Sequence, residues 1–177
     1  MNTTDTQELV ERSVGGDRSA FEQLITPLVE PAYRLACGML LDREEAEDVV
    51  QEATLKAWLK LGSFRSDADP RPWFLTIVAN RCRDLRKSRW WSVLSGFDLD
   101  RLRAEPAVDV VGGVDLRRAL VGLPVQDRAL LVLHYYLDLP IEEVARVLRV
   151  SPAAAKTRLY RVLRRLRSQL EICEVRP

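Results

Sequence analysis

Apolar residues recur three and four positions apart along nearly the whole chain, and the strict alternation of a half-buried strand is absent. That spacing matches the 3.6 residues of a helical turn, so the chain is restricted to helices that each bury one stripe. The periodicity fails between residues 92 and 113, a mildly acidic stretch holding Gly96, Pro106, Gly112 and Gly113. A break of that composition reads as an interdomain linker. The expectation is an all-α protein in which two small helical domains, residues 1–91 and 114–177, are joined by a flexible linker at 92–113.

Local signals place the helices. The first runs from Thr6 to Val14, with Gly15-Gly16 as its stop. Asp17 or Ser19 caps the next, which carries Phe21, Leu24, Ile25 and Leu28; Pro31 marks a kink or restart before Ala32–Leu41. Asp42 caps Arg43–Leu61, whose first turn holds Glu44, Glu45 and Glu47, where the helix dipole favours anions. Ser63–Pro72 is a polar loop with two prolines, and a helix follows from Pro72 to Arg89. Beyond the linker come Asp115–Val121, Pro124–Leu137, Ile141–Leu148 and Pro152 to about Glu171.

The composition, 47% hydrophobic and 30% charged, is that of a globular protein. No apolar run approaches the ~18 residues that span a membrane, and the polar N-terminus lacks a secretory signature. The expected location is cytoplasmic, with no membrane insertion. Cys37, Cys82 and Cys173 are scattered and odd in number, which fits neither a disulfide framework nor a zinc motif. They read as simple thiols. His134 sits in the apolar run Leu133-His134-Tyr135-Tyr136 and reads as a core or interface histidine. With no Cys-His-acid constellation and no Gly-rich phosphate loop, no catalytic residue, metal or cofactor is expected, and the chain does not read as an enzyme.

Net charge is only +1, but its distribution is uneven. Residues 1–60 hold twelve Asp/Glu against six Lys/Arg, whereas residues 153–168 hold six Lys/Arg and no acid. An acidic front and a basic back suggest two partners. The basic segment belongs to a helix-turn-helix: a short helix Ile141–Leu148 with Ala145 at a close crossing, a turn at Arg149-Val150, and a helix opening on a Ser151 cap and Pro152. Leu159, Val162, Leu163, Leu166 and Leu170 follow helical spacing as the buried stripe. Lys156, Arg158, Arg161 and Arg165 lie mostly on other faces, as a DNA-reading helix requires. A solvated or partner-binding basic helix is the plainer alternative.

In the helix after Asp42, Val50, Ala53, Ala57 and Leu61 form one stripe. Asp48, Gln51, Glu52 and Leu55 form another, joined further round by Trp58. Polar groups beside an apolar Leu make a protein-docking face or, more plainly, a solvated acidic face. The next helix combines Trp73, Phe74, Ile77, Val78 and Leu85 with Asn80, Arg81, Arg83, Asp84, Arg86, Lys87 and Arg89. Aromatics and an amide among cations suit unstacked single-stranded bases, although Trp73 fits the core as well.

Taken together these residues resemble the extracytoplasmic-function group of bacterial RNA polymerase sigma factors, the smallest members of the sigma-70 family. The resemblance covers about residues 17–91 and 114–171. Asp42–Trp58, with the string Ala46-Glu-Asp-Val-Val-Gln-Glu, is similar to the helix that docks on the beta-prime clamp helices. That resemblance implies core-polymerase contacts at Asp48, Gln51, Glu52, Leu55 and Trp58, with the beta subunit as a further partner. Trp73–Arg86, read as Trp-x3-Ile-x2-Asn-x3-Asp-x-Arg, is similar to the helix that melts the minus-ten element, and the family's preceding loop captures a flipped base. The implied contacts are Phe64, Arg65, Arg71, Trp73, Asn80, Arg83, Arg86 and Lys87. Leu123-Pro124-x3-Arg128 resembles the start of the region that precedes the family's helix-turn-helix. Ala154-Ala-Lys156-Thr-Arg158-Leu resembles the minus-thirty-five recognition helix, implying contacts from Ser151, Ala154, Lys156, Thr157, Arg158, Arg161 and Arg165.

The family implies a promoter-specificity subunit that binds core polymerase, duplex and melted promoter DNA, and an anti-sigma factor. The chain departs from the pattern at Arg149, where the family usually carries Gly, at Ala153-Ala154-Ala155, and at Trp90-Trp91. A conventional duplex-binding regulator, or a helical adaptor with an acidic protein partner, would also use a basic helix.

Overall fold

The structure is a computed structural model that describes residues 3–65, 68–94 and 119–174. Every labelled element is helical: α1 (Thr3–Val14), α2 (Arg18–Leu40), α3 (Arg43–Lys60), α4 (Pro70–Leu94), α5 (Val125–Leu131), α6 (Ile141–Leu148) and α7 (Pro152–Glu174). A 3-10 turn at Leu61–Ser63 follows α3, and α5 continues into a π-helical segment, Val132–Tyr136. No strand occurs among the described residues. No described helix is long and apolar enough to cross a membrane.

The caps sit where side-chain chemistry puts them. Gly16 ends the first turn region at φ +94°, a conformation open to glycine. Asp17 accepts from the Ala20 N–H at 3.1 Å, and Asp42 from the Glu45 N–H at 3.0 Å. Several boundaries differ from expectation; α1, for one, begins at Thr3 rather than Thr6. Helix α2 runs unbroken through Pro27 and Pro31, because packing of Leu24, Leu28, Ala32 and Leu35 holds it where local propensity favours a break. Helix α4 starts two residues early, at Pro70, and extends to Leu94, so positions 92–94 are its last turn. Most of the expected linker, and the expected second-domain start at 114, lie outside the described residues. So do the side chains of Trp90, Trp91 and Leu170.

The expected pair of helical units is present, but the described helices share one core. Leu24, Leu35 and Met39 of α2, Val49 and Ala53 of α3, and Phe74 and Val78 of α4 are buried in one cluster with Leu130, Leu133, Val144, Val147 and Leu159. Helix α6 packs on α4, and α5 on α2. A smaller cluster of Ala119, Leu123, Val162 and Leu166 joins α7 to the segment before α5. Cys82 is buried in the main cluster, and burial pushes its thiol up to about 12. Cys37 is half-buried and raised by desolvation, against a lowering contact with Tyr33. His134 is half-buried, with Nδ1 2.9 Å from the Leu139 carbonyl and its ring edge-on to Tyr135.

The turn between α6 and α7 explains the non-glycine residue noted above. The Val150 N–H reaches back to the Ala145 carbonyl at 3.0 Å. That six-residue closure needs a left-handed residue in between. Arg149 occupies it at φ 57°, ψ 47°. A side chain there costs about 1–2 kcal/mol. Arg149→Gly is therefore expected to stabilise the chain by about 0.5–1 kcal/mol after the added unfolded-state entropy is subtracted. A rise of about 2 °C in the calorimetric midpoint is the expected reading; a fall would show that Arg149 makes a compensating contact. Native Cys82 is expected to resist alkylation at pH 8, as a protonated thiol, and to react only on unfolding, which mass mapping of the labelled chain will read.

Candidate functional site

Helix α3 buries Ala46, Val49, Val50, Ala53 and Ala57, which turns positions 48, 51, 52, 55 and 59 outward. Asp48, Gln51 and Glu52 are exposed. Leu55 is 62% and Leu59 74% exposed, unusual for leucines not committed to a contact. Leu59 was not singled out in the sequence, although it stands one helical turn beyond Leu55. Trp58 differs from the others: it is half-buried and packs edge-on against Phe21, with ring centroids 5.1 Å apart. Glu52 is paired with Arg81 of α4, whose Nη2 donates at 2.9 Å and whose Nε completes a bidentate fork. The Arg81 hydrogen bonds hold the Glu52 carboxyl below its ordinary range.

The eight residues implied for the second surface divide into three groups. Phe64 and Trp73 are half-buried against each other, with centroids 4.8 Å apart. Arg65, Arg86 and Lys87 are exposed. The remaining three are half-buried. Arg83 donates from Nη2 to the side-chain Oδ1 of Asn80 at 2.6 Å, from Nε to the Ala79 backbone carbonyl, and from Nη1 to the Leu148 backbone carbonyl at 3.2 Å. Arg71 donates from Nη2 to the Leu137 carbonyl at 2.6 Å. Burial pulls the Arg83 guanidinium below its ordinary value, and the nearby Arg149 charge adds to this.

The third surface is the outer face of α7. Ser151 Oγ accepts from the Ala154 N–H at 3.1 Å, which satisfies one orphan donor of the first turn. Ala155, Leu159, Val162 and Leu166 are buried, whereas Leu163, expected in that stripe, is 37% exposed. It lies one position past Val162, on the shoulder of the stripe. Ala154, Lys156, Thr157 and Arg161 are exposed. Arg158 is half-buried, with Nε 3.4 Å from Asp127 Oδ1 and Nη1 3.4 Å from Gln126 Oε1. Arg165 donates to the Gly122 carbonyl at 3.1 Å. Arg158 thus leans on the start of α5 and Arg165 on the turn before it, tertiary contacts that spacing along α7 does not reveal. Among the described residues no cluster of three or more His, Cys, Asp or Glu side chains suits a metal ion.

Residues 24–92 match the family model described as Sigma-70 region 2, and residues 113–166 match Sigma-70, region 4. The chain is 35% identical to the ECF RNA polymerase sigma factor SigM of Mycobacterium tuberculosis, over 90% of this chain and 81% of that protein. It is 31% identical to the RNA polymerase sigma factor SigV of Bacillus subtilis, over 82% of this chain and 88% of that one. Among solved structures, the fold is similar to CnrH in complex with the cytosolic domain of CnrY (TM-score 0.71, 22% identity, covering 95% of this chain and 98% of that one). It is also similar to the sigma factor RpoE in complex with the anti-sigma factor NepR from Bartonella quintana (TM-score 0.72, 22% identity, 86% and 97%).

The Glu52–Arg81 pair has a direct titration signature. A depressed carboxyl adds stability above its unfolded-state value and loses it as pH falls through the lowered folded value. The side-chain carbon resonance of Glu52 is expected to titrate below the ordinary glutamate range and to move back up in Arg81→Ala. An unchanged midpoint would show that the ion pair does not persist in solution.

Proposed function

The chain belongs to the extracytoplasmic-function group of the sigma-70 family of RNA polymerase sigma factors, and we propose that it works as a dissociable promoter-specificity subunit through three surfaces. The observation that carries the reading is the order of two sigma-70 regions along one chain, with an exposed acidic and leucine-bearing face on the first and an exposed basic face on the second. Residues 1–91 serve core polymerase and the minus-ten element, residues 92–113 connect, and residues 114–177 serve the minus-thirty-five element.

The outward side of α3 docks on the beta-prime clamp helices. Leu55 supplies the apolar anchor, Leu59 extends it, and Asp48, Gln51 and Glu52 form the polar rim. Trp58 acts from beneath, fixing α3 on α2. The loop after α3 and the exposed edge of α4 meet melted minus-ten DNA. Arg65, Arg86 and Lys87 supply phosphate charge, Arg71 and Arg83 join when the strand arrives, and Phe64 and Trp73 provide the stacking platform beside Asn80. Helix α7 enters the duplex major groove. Lys156, Thr157 and Arg161 point outward along its first half, Ser151 and Ala154 bring the helix N-terminus to a phosphate, and Arg158 is aimed by α5 and Arg165 by the turn before it. Polymerase performs the bond chemistry; the chain supplies contacts and needs no cofactor. It acts in the cytoplasm, where its template is. The similar RpoE was solved with the anti-sigma factor NepR; a partner of that class is proposed for this chain.

Run-off transcription on genomic templates with core polymerase, with and without the chain, tests the reading. Promoter-dependent product is expected only with the chain. Leu55→Glu, a change at an exposed site, is expected to weaken core association at least tenfold while DNA binding survives. Lys156→Ala with Arg161→Ala is expected to do the reverse and to flatten the salt slope of duplex binding by about one per lost phosphate contact. No product together with no core association would sink the sigma reading. Salt-dependent duplex binding without core association would favour a conventional regulator.

A further inference from the structure

We infer that Asp127 is a specificity-determining residue for duplex recognition: it restrains Arg158, so that this cation answers to a base edge and not to any phosphate within reach. The inference rests on the proposed function for one point only, the assignment of α7 to duplex DNA.

Asp127 lies in the first turn of α5, where the positive end of the helix dipole favours a carboxylate. Its Oδ1 stands 3.4 Å from Arg158 Nε, and Gln126 Oε1 accepts from Arg158 Nη1 at the same distance. The Asp127 side chain is 16% exposed and that of Arg158 33%, so water screens this pair less than one on an open surface. On α7, positions 154, 157, 158 and 161 share one face at helical spacing. There Arg158 lines a groove with Ala154, Thr157 and Arg161, closed at its end by Val150 and Ala153. Arg161, one turn further on, is exposed and has no ion-pair or hydrogen-bond partner among the described residues. Two cations of the same reading face are therefore prepared differently, one free and one held by another helix.

The donor inventory of the guanidinium sets the consequence. Five N–H groups are fixed in one plane. With Nε facing Asp127 and one Nη1 hydrogen given to Gln126, the second Nη1 hydrogen and both Nη2 hydrogens remain. One hydrogen from each of these nitrogens makes an end-on fork, which fits the N7 and O6 acceptors of guanine in the major groove. A phosphate contact is a different matter. Swinging the guanidinium out to the DNA backbone breaks its pair with Asp127. It leaves a largely covered carboxylate without a partner, facing phosphates of its own sign. Attraction to phosphate is what holds a protein on DNA of any sequence. Asp127 therefore penalises the indiscriminate contact and leaves the guanine contact intact. It acts through Arg158 and is a positioning residue that need not touch DNA itself.

Two promoter fragments test this, with holoenzyme reconstituted from core polymerase and the full chain. One carries the upstream element of a promoter active in the run-off assay; in the other, that element alone is replaced by mixed sequence. The rest of the promoter is shared, so the ratio of the two affinities reads the upstream contact. Asp127→Asn removes the charge and keeps the shape. It is expected to lower the ratio at least fivefold, chiefly by tightening binding to the mixed-sequence fragment, whose salt slope should steepen by about one phosphate contact. In an Arg158→Ala background the same substitution is expected to change neither ratio nor slope, because the restrained group is gone. One guanine of the element, replaced by 7-deazaguanine, should weaken the wild-type chain at least threefold and Arg158→Ala not at all. Helicity by circular dichroism, expected to be unchanged, guards against misfolding. An unchanged ratio in Asp127→Asn, an equal fall in the Arg158→Ala background, or no guanine that separates the two chains overturns the restraint. A wild-type chain that yields no transcript overturns the sigma reading instead. The ratio is then read on a short duplex that the full chain itself enriches from a random pool.

Discussion

The buried guanidinium of Arg128 is the contact on which the arrangement of this molecule turns. A charge taken out of water is tolerated only when its donors are satisfied. Here backbone carbonyls do so, two of them from the end of α2 and one from the turn before α5. Desolvation pulls its pKa down to about 10, which leaves the group charged at neutral pH and each bond charge-assisted. Removing the acceptors of α2 without supplying water would strand that charge. Directed hydrogen bonds of this kind give the packing a defined geometry.

Electrostatic polarity follows the same plan at a larger scale. The acids of α3 are turned outward by a stripe of Ala and Val, and the cations of α7 by a stripe of Ala155, Leu159, Val162 and Leu166. Between them, the cations of α4 and its loop are divided. Arg81 is spent on Glu52, and Arg71 and Arg83 on carbonyls of the second unit. Charge of one sign along a helix therefore does not mark a uniform binding face. Its availability depends on which neighbours the packing brings within reach.

Much of the fold was legible in local pattern. The caps at Asp17, Asp42 and Ser151 and the bounds Ile141–Leu148 followed from side-chain chemistry acting over three or four residues. Arg149 stood out as a non-glycine at a turn, and its left-handed backbone confirms the reason. What escaped were features set by burial from outside the element. Pro31 did not break α2, because the apolar faces on either side of it are held by α3 and α4. Leu163 left the stripe that spacing assigned to it, and Trp58 turned partly inward onto Phe21.

By itself, the sequence determined the helical class, the order of the units, the stripes that α3 and α7 bury, and the ends that side chains cap. These depend on the 3.6-residue period and on bonds that reach one turn. Tertiary structure alone decided that Arg128 would cross 90 residues to the end of α2 and that Arg71 would reach 66 residues forward to Leu137. It also decided that Arg158 would lean on Asp127. An arginine has no preferred partner along the chain. Its six-atom reach finds whichever unsatisfied oxygen the packing of distant helices leaves nearby, and that oxygen exists only once the helices have ended and met.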